Sequence, residues 1–127
     1  MYIYLAVSKI VEMVTDMELP PSMDRLVDEK GGIAGITRGL PNDRVFETES
    51  KVFHALSSPL RLKILSLLND QPLCVCLIKE VLGIPDSKLS YHLSTLMDNG
   101  LIEGKREASW IIYNVTPLGR RFDISEK

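Results

Sequence analysis

Apolar residues recur at helical spacing in five stretches of this chain, and the period becomes strand-like only once, after residue 100. In the first stretch Ile3, Val7, Ile10, Val14 and Met17 fall on one side of a helix over residues 2 to 19, with Ser8, Glu12, Thr15 and Asp16 on another, and Pro20 and Pro21 end it. Residues 20 to 46 then hold Gly31, Gly32, Gly35, Gly39 and Pro41 among mixed charges. That is the composition of a loop or linker, with one short helical turn around Met23 to Val27.

Periodicity returns near Thr48, where Val52, Phe53 and Leu56 share a face up to Ser57. Ser58 followed by Pro59 supplies an N-cap with proline at the first helical position, and Leu60, Ile64, Leu67 and Leu68 follow as far as "NDQP". Residues 73 to 82 predict the next helix, with Gly83 as its left-handed cap. After "GIPD" the stripe Leu89, Leu93, Leu96, Met97 predicts a helix from Asp86 to Asn99, stopped at Gly100. "LIEGK" and "WIIYNV" are short, β-branched and aromatic, so they read as antiparallel strands around a "REAS" tip. Thr116 and Pro117 cap one further turn before a charged tail. The expected fold is mainly α with a small antiparallel β-hairpin, divided into residues 1–46, a helix plus a Gly/Pro-containing loop, residues 47–116, and a short tail at 117–127.

With 127 residues, 45% of them hydrophobic, the chain suffices for one compact domain plus an extension and contains no run resembling a membrane span. The apolar opening lacks a basic region and a small-residue cleavage site, so neither export nor a membrane partner is expected. Two cysteines without an export signal point to a reducing, cytoplasmic compartment, where a close pair is more often a soft-metal or redox site than a structural disulfide; buried core thiols are the plain alternative. A net charge of −2 gives no global positive field, so any DNA-binding face is a local patch.

Two short helices joined by a tight turn, with a helix before them and a hairpin after, match a winged helix-turn-helix, which reads double-stranded DNA with the second helix of the pair. Seated by its stripe, that helix leaves Ser87, Lys88, Ser90, Tyr91 and Ser94 outward to bond bases or phosphates, with His92 beside the stripe. Lys105 and Arg106 near the hairpin tip suit phosphate contact, and Lys63 and Lys79 add charge. Asp86, Asp98, Glu103 and Glu107 lie close in sequence, so a winged-helix module that binds protein and not DNA is the alternative. His54 and His92 are each expected to be packed or phosphate-bonding groups and not metal ligands.

Together "FHALSSPLRLKILSLL", "LCVCLIKEVLG", "KLSYHLSTLMDNGLI" and "KREASWIIYNV" resemble the ArsR/SmtB family of metal-sensing repressors over residues 52 to 115. The resemblance implies a homodimeric, non-enzymatic transcriptional repressor that leaves its operator when a soft metal binds at Cys74 and Cys76. No cofactor is obligatory; As(III) or Sb(III) is the implied effector class. Departures narrow this. Lys79 stands where arsenic-sensing members carry a third cysteine, and Leu77 replaces an acidic residue. No histidine follows His92, which removes the zinc-type site, and no cysteine lies in the N-terminal extension. Ala108 and Ser109 replace a glycine and an arginine at the wing tip. Family dimers use the first and last helices; with so short a segment after Val115, the interface is expected on Ile3, Val7, Ile10, Val14 and Met17.

Near a helix N-terminus, unpaired N–H groups and the dipole favour thiolates at Cys74 and Cys76. Within a regular helix, residues two apart point about 200° from each other, so both sulfurs reach one ion, or each other, only if the first turn unwinds. Metalloid binding and oxidation to a disulfide are therefore competing switches, and a C-x-C thiol reductase is the remaining enzymatic reading.

Overall fold

The structure, a computed structural model, describes residues 17–124. Its contacts divide the chain into two units, Met1–Val45 and Phe46–Lys127, and each is described by itself.

In the first unit the short helical turn expected around Met23 to Val27 is part of a longer helix, and a second helix follows where a loop was expected. The two are helix α1, Pro21–Lys30, and helix α2, Gly32–Thr37. Pro21 takes the first helical position, Asp24 lies in the first turn and Lys30 in the last, all matched to the helix ends. Gly31 (φ 86°) closes α1 in left-handed backbone, its N–H bonding the Asp28 and Val27 carbonyls. Neither helix buries a residue, so these helices are specified by their ends and leave no hydrophobic stripe for a periodic reading to find. Residues 17–20 are not helical, and Met17 is about half exposed. Ile3, Val7, Ile10 and Val14 lie outside the described residues.

Helix α3, Asp43–Leu56, begins earlier than the apolar pattern suggests, because the Asn42 side chain accepts the Arg44 N–H at 2.9 Å and caps it. It buries Val52 and Ala55. Helix α4, Pro59–Asp70, starts as predicted, with the Ser58 hydroxyl accepting from Arg61 N–H. Its buried face is Arg61, Ile64, Leu65 and Leu68, so the stripe runs one position away from the Leu60-based one.

Strand β1, Leu73–Cys74, comes next, and helix α5 runs only over Val75–Leu82, correcting the helix expected from residue 73. Leu73 and Cys74 pair antiparallel with Tyr113 and Ile112, and this pairing, invisible to local periodicity, draws them out of the helix. Gly83 (φ 63°) caps α5 as predicted. Helix α6, Asp86–Asp98, sinks Leu89, Leu93 and Leu96. Strands β2, Ile102–Glu107, and β3, Trp110–Val115, form the hairpin, whose two-residue turn places Ala108 at φ 54°, in the left-handed region. The sheet order is β1-β3-β2. Helix α7, Pro117–Arg120, is capped by Thr116, whose hydroxyl accepts from Gly119 N–H and donates to the Gly100 carbonyl at 2.6 Å.

Ile64, Leu65, Ile78, Leu89, Leu96 and Leu101 are fully buried and form one core with Val52, Ala55 and the wing's Ile102, Tyr113 and Val115. Each such aliphatic contributes about 1.5–3 kcal/mol relative to exposure. The arrangement is a winged helix-turn-helix, seating α6 by one face on α4 and the sheet and leaving the other face to solvent.

Candidate nucleic-acid interface and dithiol site

Ser87, Lys88, Ser90, Tyr91 and Ser94 all lie exposed on α6, Tyr91 at 64%. An array of hydroxyls, one ammonium and one phenol on a protruding helix can donate to phosphates and exchange hydrogen bonds with base edges. On the wing, Lys105 and Arg106 are exposed neighbours in β2 and so point to opposite faces of the ribbon. Lys105 pairs loosely with Glu103 at 3.9 Å, while Arg106 makes no ion pair among the described residues. Lys79 is engaged with Asp86 at 3.0 Å, tying α5 to α6 across the turn. That exposed pair contributes under about 1 kcal/mol.

Behind α6 sits a group that no apolar pattern announced. Arg61 is only 6% exposed and faces no carboxylate among the described residues. Its Nε donates to the Ala55 carbonyl at 2.6 Å and one terminal nitrogen to the His54 carbonyl at 3.3 Å, both at the C-terminal end of α3, where the helix dipole favours a cation. The other terminal nitrogen lies 3.2 Å from His92 Nδ1. Guanidinium has no acceptor, so Nδ1 must be the unprotonated nitrogen and neutral His92 carries its proton on Nε2. Burial holds the His92 pKa below its usual value, and the positive charges of Arg61 and Lys88 lower it further. His92 is thus half-buried and tied through one nitrogen, with Tyr91 edge-on to its ring at 5.3 Å between centroids. The missed signal was spacing: residue 61 precedes 64, 65 and 68 by helical intervals.

Cys74 and Cys76 straddle the joint between β1 and α5. Cys74 is the N-cap, with extended backbone (φ −73°, ψ 158°), and only Cys76 lies inside the helix. Because the chain turns from strand to helix between them, the sulfurs meet without unwinding α5, and the structure places them as a disulfide with a Cα–Cα separation of 5.4 Å. Cys74 is half-buried and Cys76 exposed, so neither is a core thiol. The pair borders a cavity of about 240 Å³ walled by Val75, Trp110, Ile111 and Tyr113, with Ser109 at its edge. Val75 and Tyr113 also wall a second cavity, about 190 Å³, bounded by Leu89, Ser90, Leu93 and Met97 of α6. These two shared residues connect the dithiol to α6, which carries the exposed Ser87, Lys88, Ser90, Tyr91 and Ser94. No cluster of three or more His, Cys, Asp or Glu that could hold a metal ion occurs among the described residues.

An edge-to-face pair, Phe53 and Phe122 with centroids 6.1 Å apart, marks an apolar surface on α3 that also carries the exposed Phe46. No helix among the described residues is long and apolar enough to cross a membrane.

Residues 58–104 match the family profile described as bacterial regulatory protein, arsR family. An HTH-type transcriptional regulator of Methanocaldococcus jannaschii is 34% identical over 71 residues, covering 55% of this chain and 80% of the relative. The arsenical resistance operon repressor of Bacillus subtilis is 38% identical over 64 residues, 50% of this chain and 61% of the repressor. Among solved structures, a homodimeric winged helix-turn-helix DNA-binding domain from Mycobacterium bovis superposes with a TM-score of 0.60 at 28% identity, covering 63% of this chain and 76% of that one.

Proposed function

Because the chain belongs to the ArsR family of transcriptional regulators, we propose that it is a dimeric repressor that holds operator DNA with α6 and the wing and lets go when Cys74 and Cys76 together bind a thiophilic metalloid of the arsenite and antimonite class. One observation carries the reading: both sulfurs converge at the β1–α5 joint, whose central residue, Val75, also lines the space beneath α6. Soft trivalent arsenic prefers thiolates, and among the described residues no cluster of His, Cys, Asp or Glu forms there to favour zinc. With the pair reduced, each thiol forms an As–S bond and passes its proton to a departing hydroxide, so two waters leave and no electrons move. Seating an arsenic atom between the sulfurs shifts Val75 and the β1–β3 pairing, and the shift reaches α6 through Val75 and Tyr113.

In this reading Ser87, Lys88, Ser90 and Tyr91 face the groove, His92 offers Nε2–H to a phosphate, and Lys105 and Arg106 hold the backbone beside it. Dimerisation draws on the segment carrying Ile3, Val7, Ile10, Val14 and Met17; Phe46 and Phe53 are exposed on α3.

The test is binding of the reduced protein to labelled promoter DNA, titrated separately with arsenite, zinc and peroxide. Arsenite should release wild type, whereas Cys74→Ser and Cys76→Ser should bind DNA and ignore it; no response to any of the three defeats the dithiol reading. Lys88→Ala should erode preference for the operator, while Arg106→Ala should weaken all sequences alike and lower the salt slope by about one unit. The disulfide itself favours a second reading, an oxidation switch in which the thiols give two electrons and two protons to a peroxide that leaves as water. Release by peroxide alone, reversed by a dithiol reductant, selects it.

A further inference from the structure

We infer that Arg61 is a positioning residue for DNA binding: from inside the domain it fixes His92 as a neutral imidazole whose Nε2–H points outward, giving α6 a phosphate donor that carries no charge. The inference rests on the reading of α6 as the helix that holds DNA. Arg61 itself is 6% exposed, and its bonds run to the Ala55 carbonyl at 2.6 Å, the His54 carbonyl at 3.3 Å and His92 Nδ1 at 3.2 Å. The two carbonyls at the end of α3 set the plane of the guanidinium, and a planar fork held at two points leaves its remaining nitrogen a set direction. That direction fixes the imidazole ring.

On the far side of the ring, Nε2 has no hydrogen-bond partner among the described residues. No buried side-chain nitrogen or oxygen among them lacks a partner, so Nε2 reaches solvent. It does so one turn from the exposed Lys88 and next to Tyr91, whose ring meets the imidazole edge-on at 5.3 Å. A phosphate at Nε2 favours an imidazolium, but the second proton would have to sit on Nδ1, where Arg61 already donates. Burial and the positive charges of Arg61 and Lys88 act in the same direction. His92 therefore meets DNA as a neutral donor. Lysine and arginine contacts release counterions and weaken as salt rises, whereas a neutral donor releases none, so the His92 contact adds affinity that salt does not erode.

Affinity of the reduced full chain for labelled promoter DNA should be measured across a salt series for wild type, His92→Asn, Arg61→Lys and the double variant. Asparagine keeps an acceptor for Arg61 near the place of Nδ1 and has no donor at the place of Nε2. Lysine removes the fork and leaves the imidazole unfixed. Each single variant should lose about 10-fold in affinity, with the salt slope unchanged, and the double variant should lose no more than the weaker single one, since Arg61 acts through His92. Nitrogen NMR of the wild type labelled at histidine reads the tautomer without any variant having to fold, and should show His92 protonated on Nε2. Wild-type affinity in His92→Asn, losses that multiply in the double variant, or a Nδ1–H tautomer overturns the inference. A salt slope lowered by about one unit in His92→Asn also overturns it, because the contact would then be a charged one. Each of these leaves DNA binding by α6 standing, whereas wild type that binds no promoter DNA removes both.

Discussion

Helix α6 is held at two places of opposite character. At one, Arg61 is buried, its guanidinium bonded to two carbonyls of α3 and to His92. At the other, the Cys74–Val75–Cys76 joint is partly exposed, and it reaches the space beneath α6 through Val75, with Tyr113 of β3 as the other wall shared between the two cavities. A buried charge is stable only while every partner is in place, so the first anchor is fixed. The second has little buried surface to lose and two sulfurs able to change bonding state. Under the proposed function, a helix fixed at one point and adjustable at another would pivot in response to chemistry at the sulfurs without the domain unfolding.

The contrast breaks most visibly at Arg61. Arg61→Leu leaves the Ala55 carbonyl and His92 Nδ1 without the guanidinium, while the His54 carbonyl keeps the Ser57 N–H and hydroxyl, and it should cost about 2–3 kcal/mol in denaturant unfolding; a loss below about 1 kcal/mol would mean that the node is no anchor. A smaller effect is expected from acid. His92 has a lowered pKa when folded, so between that value and its unfolded value of 6.5 the unfolded chain binds more protons. The stabilising contribution of neutral His92 is therefore complete above pH 6.5 and is lost as pH falls from there through the folded pKa. Wild type should lose melting temperature over that window relative to His92→Gln, whose own destabilisation at neutral pH should be about 1 kcal/mol; parallel pH curves would remove His92 from the account. The smallest change belongs to the joint. In the reduced protein Cys74→Ser or Cys76→Ser should shift stability by less than about 0.5 kcal/mol, measured by the same unfolding curves, and a loss comparable to that of Arg61→Leu would make the cysteines structural.

Much of the DNA-facing domain was legible because several local signals coincide there. Ser58 and Pro59 mark the start of α4, an apolar stripe and "DNG" mark α6, and Thr116 with Pro117 marks α7. Where signals did not coincide the reading failed. α1 and α2 have end signals but bury nothing, so their glycines and charges looked like a loop. β1 is two residues long and exists only through its partner strand, so local periodicity places Cys74 in a helix with its sulfur turned away from that of Cys76. Arg61 is a cation on a core face and so contradicts the hydrophobic pattern, although its spacing from Ile64, Leu65 and Leu68 obeys it. The cavity beside the cysteines could not be foreseen, since Trp110 and Ile111 approach them only through the β1–β3 register.

The cysteines' position at a strand-to-helix joint outside the core also has a consequence on an evolutionary timescale. If the pair is the sensor proposed above, two codons at a position outside the core can install or erase the response at little cost in stability. Changes at Arg61 are screened by folding before any question of recognition arises. Descendants of this chain should therefore drift in what they detect far sooner than in how they hold the reading helix, with Cys74 and Cys76 turning over while Arg61 and His92 persist as a pair.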